Sequence, residues 1–417
     1  MDIRIRPACL SGSVAAIASK SDVHRLMICA LLSGSPVTVQ GVSPGDDIDA
    51  TARCITALGA RVEFEGRDCT VTPPSSFLEH ALLDCGESGS TLRFLLPVAA
   101  AICGSADFSG AGRLPLRPIG ELKETMSGNG VEFSESKLPF SIRGRLRAGV
   151  YTLPGDVSSQ YVSGLLMALS VVSGESRVVL SSPLQSESYV NMTLSTLRLF
   201  GAEVTKTDNT YIIKGKDKLC APRTVKADGD WSNAAFFLAA GALGGTVRVT
   251  GLDTQSVQGD KKVLDVLTRF GARVHTDAEG ITVSGGQLRG CTVDLKDTPD
   301  LLPVLAVVAA YAEGETVFTG GARLRLKESD RLETTRAMIE ALGGKAEVLP
   351  DGITVYGTEL RGGTADGAGD HRIVMAAAIG GSFGKTDTTV VGAQAVNKSY
   401  PDFFSDLRDL GGKIYGI

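Results

Sequence analysis

Helix-type and strand-type hydrophobic patterns alternate along the whole chain. Six times, an amphipathic segment with apolar residues at helical spacing ends in glycine and is followed by a short strand of alternating apolar and polar residues. Helices often end in this way because the left-handed conformation costs glycine nothing. The six glycines are spaced by 68 to 73 residues and predict six repeated units; they are Gly59, Gly128, Gly201, Gly271, Gly343 and Gly411.

Each unit also contains a second helical segment that is more apolar than the first. A wide apolar surface predicts burial, so each unit is expected to be a βαβαββ arrangement with one buried and one half-exposed helix. The buried helices are predicted at residues 22–32, 91–103, 161–172, 233–243, 301–312 and 371–379.

The repeats predict an α/β fold, with repeats of α+β type, in more than one domain. Six similar units could form one solenoid or two domains of three units, and typical domain sizes favour two. The polar segment 214–230 contains proline and glycine and places a boundary near Lys226.

Composition excludes several classes of protein. The 417 residues carry a net charge of −5, with 43% hydrophobic and 21% charged residues, which is typical of globular proteins. The longest apolar stretch, 301–312, is shorter than the roughly 20 residues that span a bilayer. Charged residues in the first six positions do not fit a secretory signal, so a cytoplasmic location is expected.

Nucleic-acid and metal partners are not expected. The chain lacks the clustered lysines that binding to a phosphate backbone requires. Its eight cysteines form no CxxC pair and none has a histidine at zinc-ligand spacing, which predicts reduced thiols and no structural metal.

Cations near the predicted starts of helices are the strongest functional signal. Serine, threonine and aspartate at these places are explained by capping, but cations oppose the helix dipole. Taken one at a time, each of these residues also has a purely structural explanation. Lys327 and Arg331 could form a charge pair on the surface, and His371 could be a packed side chain. Their recurrence at matching repeat phases predicts binding of phosphates or carboxylates. The cations are Lys20, Arg25, Arg117, Lys327, Arg331, Arg372 and Lys398.

With these residues, the chain resembles the 5-enolpyruvylshikimate-3-phosphate synthase family of enolpyruvyl transferases along its whole length. The resemblance rests on short sequence motifs that occur along the chain in the same order as in the family. One of these motifs alone would be weak evidence, whereas all of them in order are highly specific. The set is KSxxxR from Lys20, GESGSTLR at 86–93, LRPIG at 116–120, SSQ at 158–160, SxxY from Ser186, QGD at 258–260, PD at 299–300, KESDR at 327–331, GDHR at 369–372 and NKSYPDFF at 397–404.

The resemblance implies two domains, each of three βαβαββ units, with buried helices facing an interdomain cleft. It also implies that the N-terminal strand belongs to the second domain. The expected domains are therefore 18–226 and 1–17 plus 227–417.

The reaction implied by the resemblance belongs to the shikimate pathway of aromatic amino acid biosynthesis. The enolpyruvyl group of phosphoenolpyruvate is transferred to the 5-hydroxyl of shikimate 3-phosphate by addition and elimination, with release of phosphate. These two small molecules are the expected partners of a monomeric enzyme that uses no cofactor and no metal.

Motif matches also imply the site residues. Shikimate 3-phosphate is expected at Lys20, Ser21, Arg25, Ser158, Ser159, Gln160, Ser186, Tyr189, Asp300 and Lys327. Phosphoenolpyruvate is expected at Lys20, Gly89, Arg117, Gln160, Arg331, Arg372 and Lys398. The hypothesis for catalysis is that Asp300 accepts the 5-hydroxyl proton, that Glu328 with Lys20 handles the proton at C3, and that His371 supports them.

Two positions depart from the family pattern, and two rival functions stay open. Glu87 stands where many members have asparagine, and Arg323 where some have a shorter polar residue. The sister transferase acting on UDP-N-acetylglucosamine has a reactive cysteine in the loop that corresponds to 106–117, which here contains none. A non-catalytic repeat scaffold that binds anions would explain the repeats and cations without turnover.

Overall fold

A computed structural model of the chain describes residues 1–220 and 222–416. Its contacts divide the chain into two compact units, a first unit of Ala18–Ala227 and a second unit of Met1–Ile17 with Asp228–Ile417. Each unit encloses its own hydrophobic core.

Across the described ranges there are twelve α-helices, and they alternate between buried and half-exposed. The odd-numbered helices are buried and the even-numbered ones show one face to solvent: α1 (Lys20–Leu31), α2 (Asp46–Ala57), α3 (Gly89–Ile102), α4 (Gly120–Ser127), α5 (Ser159–Leu169), α6 (Glu187–Leu199), α7 (Trp231–Ala242), α8 (Val263–Phe270), α9 (Leu302–Ala310), α10 (Arg331–Ala341), α11 (His371–Ser382) and α12 (Phe403–Asp409). The six predicted buried helices are confirmed, with ends that differ by at most three residues.

Short 3₁₀ turns precede several half-exposed helices and begin one buried helix. They are Leu114–Leu116, Gly259–Lys262, Pro299–Leu301, Ala322–Leu326 and Ala393–Lys398. Such turns often stand at helix ends and in connections.

The strands form six four-stranded sheets within residues 1–220 and 222–416. The first unit contains β3 (Val37–Gln40), β4 (Arg61–Glu65), β5 (Asp68–Thr72), β6 (His80–Asp84), β7 (Ser105–Ser109), β8 (Glu132–Phe133), β9 (Phe140–Arg143), β10 (Val150–Leu153), β11 (Gly174–Leu180), β12 (Glu203–Thr207), β13 (Thr210–Gly215) and β14 (Thr224–Lys226). The second contains β1 (Ile3–Arg6), β2 (Ser11–Ala15), β15 (Thr246–Thr250), β16 (Arg273–Asp277), β17 (Gly280–Ser284), β18 (Thr292–Asp294), β19 (Glu315–Thr319), β20 (Lys345–Leu349), β21 (Gly352–Tyr356), β22 (Thr364–Asp366), β23 (Thr388–Val391) and β24 (Lys413–Gly416).

Every sheet combines one parallel strand pair with two antiparallel pairs, as a βαβαββ unit requires. In the third repeat, β10 pairs with β11 in parallel across helix α5, and β11, β13 and β12 follow in antiparallel order. A parallel pair needs a long crossover, which the buried helix supplies.

Three sheets take a strand from a distant part of the sequence. Strand β14 is the parallel partner of β3 in the first unit. In the second unit, β2 is the parallel partner of β15, and β1 lies between β23 and β24. The first fifteen residues thus complete two different repeats of the second unit.

Five of the six glycines after the half-exposed helices have the expected left-handed conformation, and Gly128 does not. Gly128 has φ −64° and continues the helical turn of α4, whereas Gly130 has φ +101°. The prediction for Gly128 was therefore wrong, because the sequence Gly128-Asn129-Gly130 offers a second glycine two residues later, and that residue makes the reversal.

Candidate active site

Lys20 lies beside an acidic side chain at the start of the neighbouring helix. It is the first residue of α1, and its Nζ is 2.7 Å from Oδ2 of Asp47 in the first turn of α2. The Lys20 side chain keeps 16% of its surface exposed. Asp47 therefore orients a cation that anions in solution can still reach.

Arg25 contacts two other residues predicted to bind shikimate 3-phosphate, Ser21 and Tyr189. Its guanidinium donates to the backbone carbonyls of Ser21 and Tyr189, the latter at 2.9 Å, and to Oγ1 of Thr193 at 2.8 Å. It also lies 4.8 Å from the ring centre of Phe94. Burial lowers the pKa of Arg25 to about 10, so the group stays charged at neutral pH.

Gly89, Arg117 and Gln160, three of the residues expected at phosphoenolpyruvate, lie close together at the start of α3, and Arg93 joins them. A Cβ atom on Gly89 would lie 2.5 Å from Nη1 of Arg117 and 2.7 Å from Nη1 of Arg93. Arg93 donates to Oε1 of Gln160 at 3.1 Å, and Nε2 of Gln160 donates to Oγ of Ser90 at 2.9 Å. Two guanidinium groups thus stand against the bare backbone of a helix N-terminus, an arrangement suited to a phosphate.

The predicted phosphate-binding serines lie at the N-terminal ends of α5 and α6, two helices that pack against each other. Ser158 caps α5 by accepting a hydrogen bond from the Gln160 amide at 3.3 Å, and Ser159 is the first residue of that helix. Ser186 has φ 53° and ψ 45°, a left-handed conformation that is rare for serine and costs about 1–3 kcal/mol. Such strain is concentrated at functional sites.

In the second unit, Arg331 is the centre of a buried ion cluster. Its guanidinium donates to Asp370 at 2.7 Å, to Asp300 at 2.6 Å and to Glu328 at 2.7 Å. Burial would lower the pKa of Arg331, but Asp370, Glu328 and Asp300 outweigh it and raise that pKa well above its usual value. Arg331 is thus a permanent cation that links helices α10 and α11 to the 3₁₀ turn before α9.

Asp300 is surrounded by three cations. Besides Arg331, it contacts Nη2 of Arg372 at 3.1 Å and Nζ of Lys327 at 3.4 Å. Burial would raise the pKa of Asp300, but Arg372, Lys327 and Arg331 hold it well below its usual value. The structure therefore brings together the predicted residues Asp300, Lys327, Glu328, Arg331 and Arg372 as one network.

The two remaining predicted residues of the second unit lie at a helix start and at the end of a 3₁₀ turn. His371 is the first residue of α11 and is buried, with Nδ1 3.8 Å from Oδ1 of Asp370. Lys398 is buried and is the last residue of its 3₁₀ turn. Arg117 and Lys327 directly follow the equivalent turns of their repeats, so each of the three cations stands where a 3₁₀ turn ends before a half-exposed helix.

The two departures from the family pattern have local partners. The carboxylate of Glu87 occupies the space that a side chain at Gly112 would need, so it is folded against the loop before Arg117. Arg323 donates from Nη2 to the backbone carbonyl of Lys296 at 2.9 Å.

Four residues of these networks were not predicted as site residues. Asp47 and Arg93 contact predicted residues in the first unit, and Asp370 and Asp260 belong to the second. Asp260 accepts a hydrogen bond from Ser232, and its pKa is raised to about 6 by burial and by Asp300. A signal existed for Arg93, which falls inside the GESGSTLR motif one turn after Gly89.

Neither a cluster of metal ligands nor a membrane-spanning helix occurs among the residues that the structure describes. In the described ranges, no group of three or more His, Cys, Asp or Glu side chains is placed to hold a metal ion. None of the helices over the same residues has both the length and the apolar composition needed to cross a membrane. All eight cysteines are free thiols.

The fold is that of the enolpyruvyl transferases. Over its full length the structure is similar to an EPSP synthase from Acinetobacter baumannii, with a TM-score of 0.81, 25% identity and 100% coverage of both chains. It has the same fold as the enolpyruvyl transferase NikO from Streptomyces tendae, with a TM-score of 0.81, 21% identity and coverage of 99% and 98%.

Sequence comparison identifies the family. Residues 6–407 match the family model for EPSP synthase (3-phosphoshikimate 1-carboxyvinyltransferase). Proteins named 3-phosphoshikimate 1-carboxyvinyltransferase from Clostridium acetobutylicum and Clostridium novyi are 38% and 35% identical, over 99% of this chain and 98% of each relative. The chain belongs to the EPSP synthase family of transferases, which confirms the resemblance seen in its motifs.

Proposed function

We propose that this chain transfers the carboxyvinyl group of phosphoenolpyruvate to the 5-hydroxyl of shikimate 3-phosphate and releases phosphate. The single observation that carries the proposal is Asp300, an ionised carboxylate within hydrogen-bonding or ion-pair distance of Arg331, Arg372 and Lys327. Such a group can accept a proton, and its three cations can bind anions beside it.

Both substrates carry phosphate and carboxylate groups, and the two units provide different partners for them. Shikimate 3-phosphate binds the serines at α5 and α6, Arg25 with Ser21 and Tyr189, and Gln160, Lys20, Asp300 and Lys327. Phosphoenolpyruvate binds Lys20, Gly89, Arg117, Gln160 and Lys398 through its phosphate and Arg331 and Arg372 through its carboxylate. A planar guanidinium suits a carboxylate, and lysine acts as a point charge.

Substrate binding also activates Asp300. In the free protein three cations depress its pKa, which makes it a weak proton acceptor. When substrate anions bind Arg331, Arg372 and Lys327, they compensate those charges, and the pKa of Asp300 rises towards its usual value. Asp300 then accepts the 5-hydroxyl proton, and Glu328 with Lys20 delivers the proton at C3, while Asp370 and His371 hold Arg331 and its surroundings.

The experiment mixes the purified protein with both substrates in the presence of a chelator and measures released phosphate and the enolpyruvyl product. We expect equal amounts of the two. Binding of both ligands without release would favour the anion-binding scaffold. Release only when UDP-N-acetylglucosamine replaces shikimate 3-phosphate would favour the sister transferase.

Asp300→Asn and Glu328→Gln test the acid–base roles. Each is expected to lower kcat by about 10²- to 10⁴-fold, as loss of a general acid or base usually does. Asp297→Asn and Glu340→Gln are matched controls, since both carboxylates are exposed and pair with Lys262 and Arg336. Near-normal turnover in either active-site variant would remove that residue from the scheme.

The chain is proposed to act as a monomer in the cytoplasm, with these two small molecules as its partners. The proposal on location rests on the biosynthetic role of the family. Sedimentation of the purified protein with and without substrates tests the monomer.

A further inference from the structure

A row of buried polar side chains runs behind the Lys20 site in the first unit. Nδ1 of His24 is 2.7 Å from Oγ1 of Thr51, which is 2.7 Å from Oγ1 of Thr91, which donates to Oγ of Ser88 at 2.8 Å. All four side chains are fully buried. They cannot contact a ligand in solution, so any effect on one must pass through other residues.

The row connects the N-terminal ends of three helices. His24 is in the second turn of α1, Thr51 is in α2, and Thr91 is in the first turn of α3, which Ser88 caps through the Thr91 amide. Helices α1, α2 and α3 also pack on one another. The row therefore fixes where these three helix starts lie relative to each other.

At Thr91 the row reaches two groups proposed to hold the phosphate of phosphoenolpyruvate, the start of α3 at Gly89 and the Lys20–Asp47 pair. Thr91 lies two residues after Gly89, and its hydroxyl is 3.4 Å from the backbone carbonyl of Asp47. The side chain of Asp47 holds Nζ of Lys20 at 2.7 Å. A shift of α2 relative to α3 would thus change the distance between the Lys20 ammonium and the Gly89 backbone.

His24 takes part as a neutral ring. Burial lowers its pKa to about 3, Asp47 acts against this, and Lys20 and Arg25 reinforce it. Replacing a buried hydrogen-bonded set by apolar groups of the same shape can be nearly neutral for stability. A row of hydrogen bonds is more directional than apolar packing, because hydrogen bonds fix both distance and angle.

We propose that His24, Thr51 and Thr91 are positioning residues for the phosphate of phosphoenolpyruvate. They hold the Lys20–Asp47 pair and the N-terminus of α3 at the separation that this phosphate needs. The inference rests on the proposed function for the identity of the ligand. It adds three residues that act through Lys20 and Gly89.

The test compares variants that keep or remove the hydrogen bond at the same place. Thr51→Val removes the hydroxyl and keeps the shape, whereas Thr51→Ser keeps the hydroxyl. His24→Leu removes the ring nitrogen, whereas His24→Asn places an amide near the position of Nδ1. Thr196→Val is the control, because the Thr196 hydroxyl is buried in the same unit but bonds only within α6, to Met192.

We expect Thr51→Val and His24→Leu to raise KM for phosphoenolpyruvate at least tenfold and KM for shikimate 3-phosphate, which is not assigned to Gly89, less than threefold. A fall in kcat is also expected, because Lys20 is proposed to help deliver the proton at C3. Thr51→Ser and His24→Asn should restore most of the affinity, and Thr196→Val should change nothing. The inference would be overturned if Thr51→Val and Thr51→Ser raised KM for phosphoenolpyruvate equally. It would also be overturned if a variant raised KM for both substrates by the same factor.

Titration calorimetry with phosphoenolpyruvate separates this inference from the proposed function. If the wild-type protein binds phosphoenolpyruvate without turning it over, the proposed function fails, and the ordering of affinities among the variants still decides the role of the row. Wild-type protein that does not bind phosphoenolpyruvate contradicts both. Thermal unfolding of each variant confirms that the compared proteins are folded.

Discussion

At the scale of single residues, the charge pattern indicated cations at helix starts but not the acids around them. Asp300 and Glu328 were expected only from the family resemblance, and Asp370 was not expected. Lys20, Arg331 and Arg372 oppose the helix dipole, so their presence demanded an explanation. Asp370 stands where capping already favours aspartate. It does cap α11, accepting from the Arg372 amide at 3.0 Å, and it also binds Arg331. Sequence cannot distinguish an acid that only caps from one that does both.

Asp260 makes a testable case of a buried acid. Its folded-state pKa of about 6 exceeds the usual 3.8, so its stabilising contribution is complete below pH 4 and is lost as pH rises through 6. Asp260→Asn removes this titration while keeping an acceptor for Ser232. The unfolding free energy of the variant, minus that of wild type, should therefore increase between pH 4 and pH 7. The expected increase is about 1.4 kcal/mol for each unit by which the folded-state pKa of Asp260 exceeds its unfolded-state value. Urea unfolding of both proteins at several pH values measures this increase. If the unfolding free energies of wild type and variant change in parallel with pH, the prediction is contradicted.

At the scale of elements, the repeat pattern predicted the buried helices but not the 3₁₀ turns. The turns Leu114–Leu116, Ala322–Leu326 and Ala393–Lys398 are too short to show a hydrophobic period. They place Arg117, Lys327 and Lys398 at equivalent points before α4, α10 and α12. The sequence indicated these cations because positive charge at a helix start is unfavourable. The turns explain why all three lie at corresponding places in their repeats, just before a half-exposed helix.

The start of α3 supports a prediction about Gly89. A methyl group there would stand 2.5 Å from Arg117 and 2.7 Å from Arg93, whose flexible ends can move away. Gly89→Ala is therefore expected to change thermal stability little and to raise KM for phosphoenolpyruvate severalfold. Gly120→Ala, at the first position of α4 with open space around it, is the matched control. If KM for phosphoenolpyruvate is unchanged in Gly89→Ala, binding of this substrate does not depend on the position of the Arg117 guanidinium.

At the scale of the whole molecule, hydrophobic patterns could not predict which sheets β1, β2 and β14 join. These three strands pair with strands that are distant in the sequence. Strand β14 has three residues, and β1 pairs with β23 across more than 380 residues. Hydrophobic alternation over three or four residues predicts a strand but not its partner. The crossing of the N-terminal strand was expected only from the family resemblance.

The position of β1 predicts that the second unit can be made from one continuous chain. Ile3 pairs with Gly416, so a linker of about four residues can join the end of β24 to Met1 as a hairpin. Residues 228–416, the linker and residues 1–17 should then fold and unfold cooperatively without the first unit. The measurement is thermal unfolding followed by circular dichroism.

The matched control is 228–416 without β1 and β2. It loses five buried side chains, Ile3, Ile5, Leu10, Val14 and Ile17, worth about 1.5–3 kcal/mol each. It also leaves β23 and β24 without the strand between them, and unpaired backbone groups are costly. The loss, roughly 8–15 kcal/mol, is comparable with the total stability of a domain. The control should therefore be unfolded; if it melts like the joined chain, the N-terminal strands are not what completes this unit.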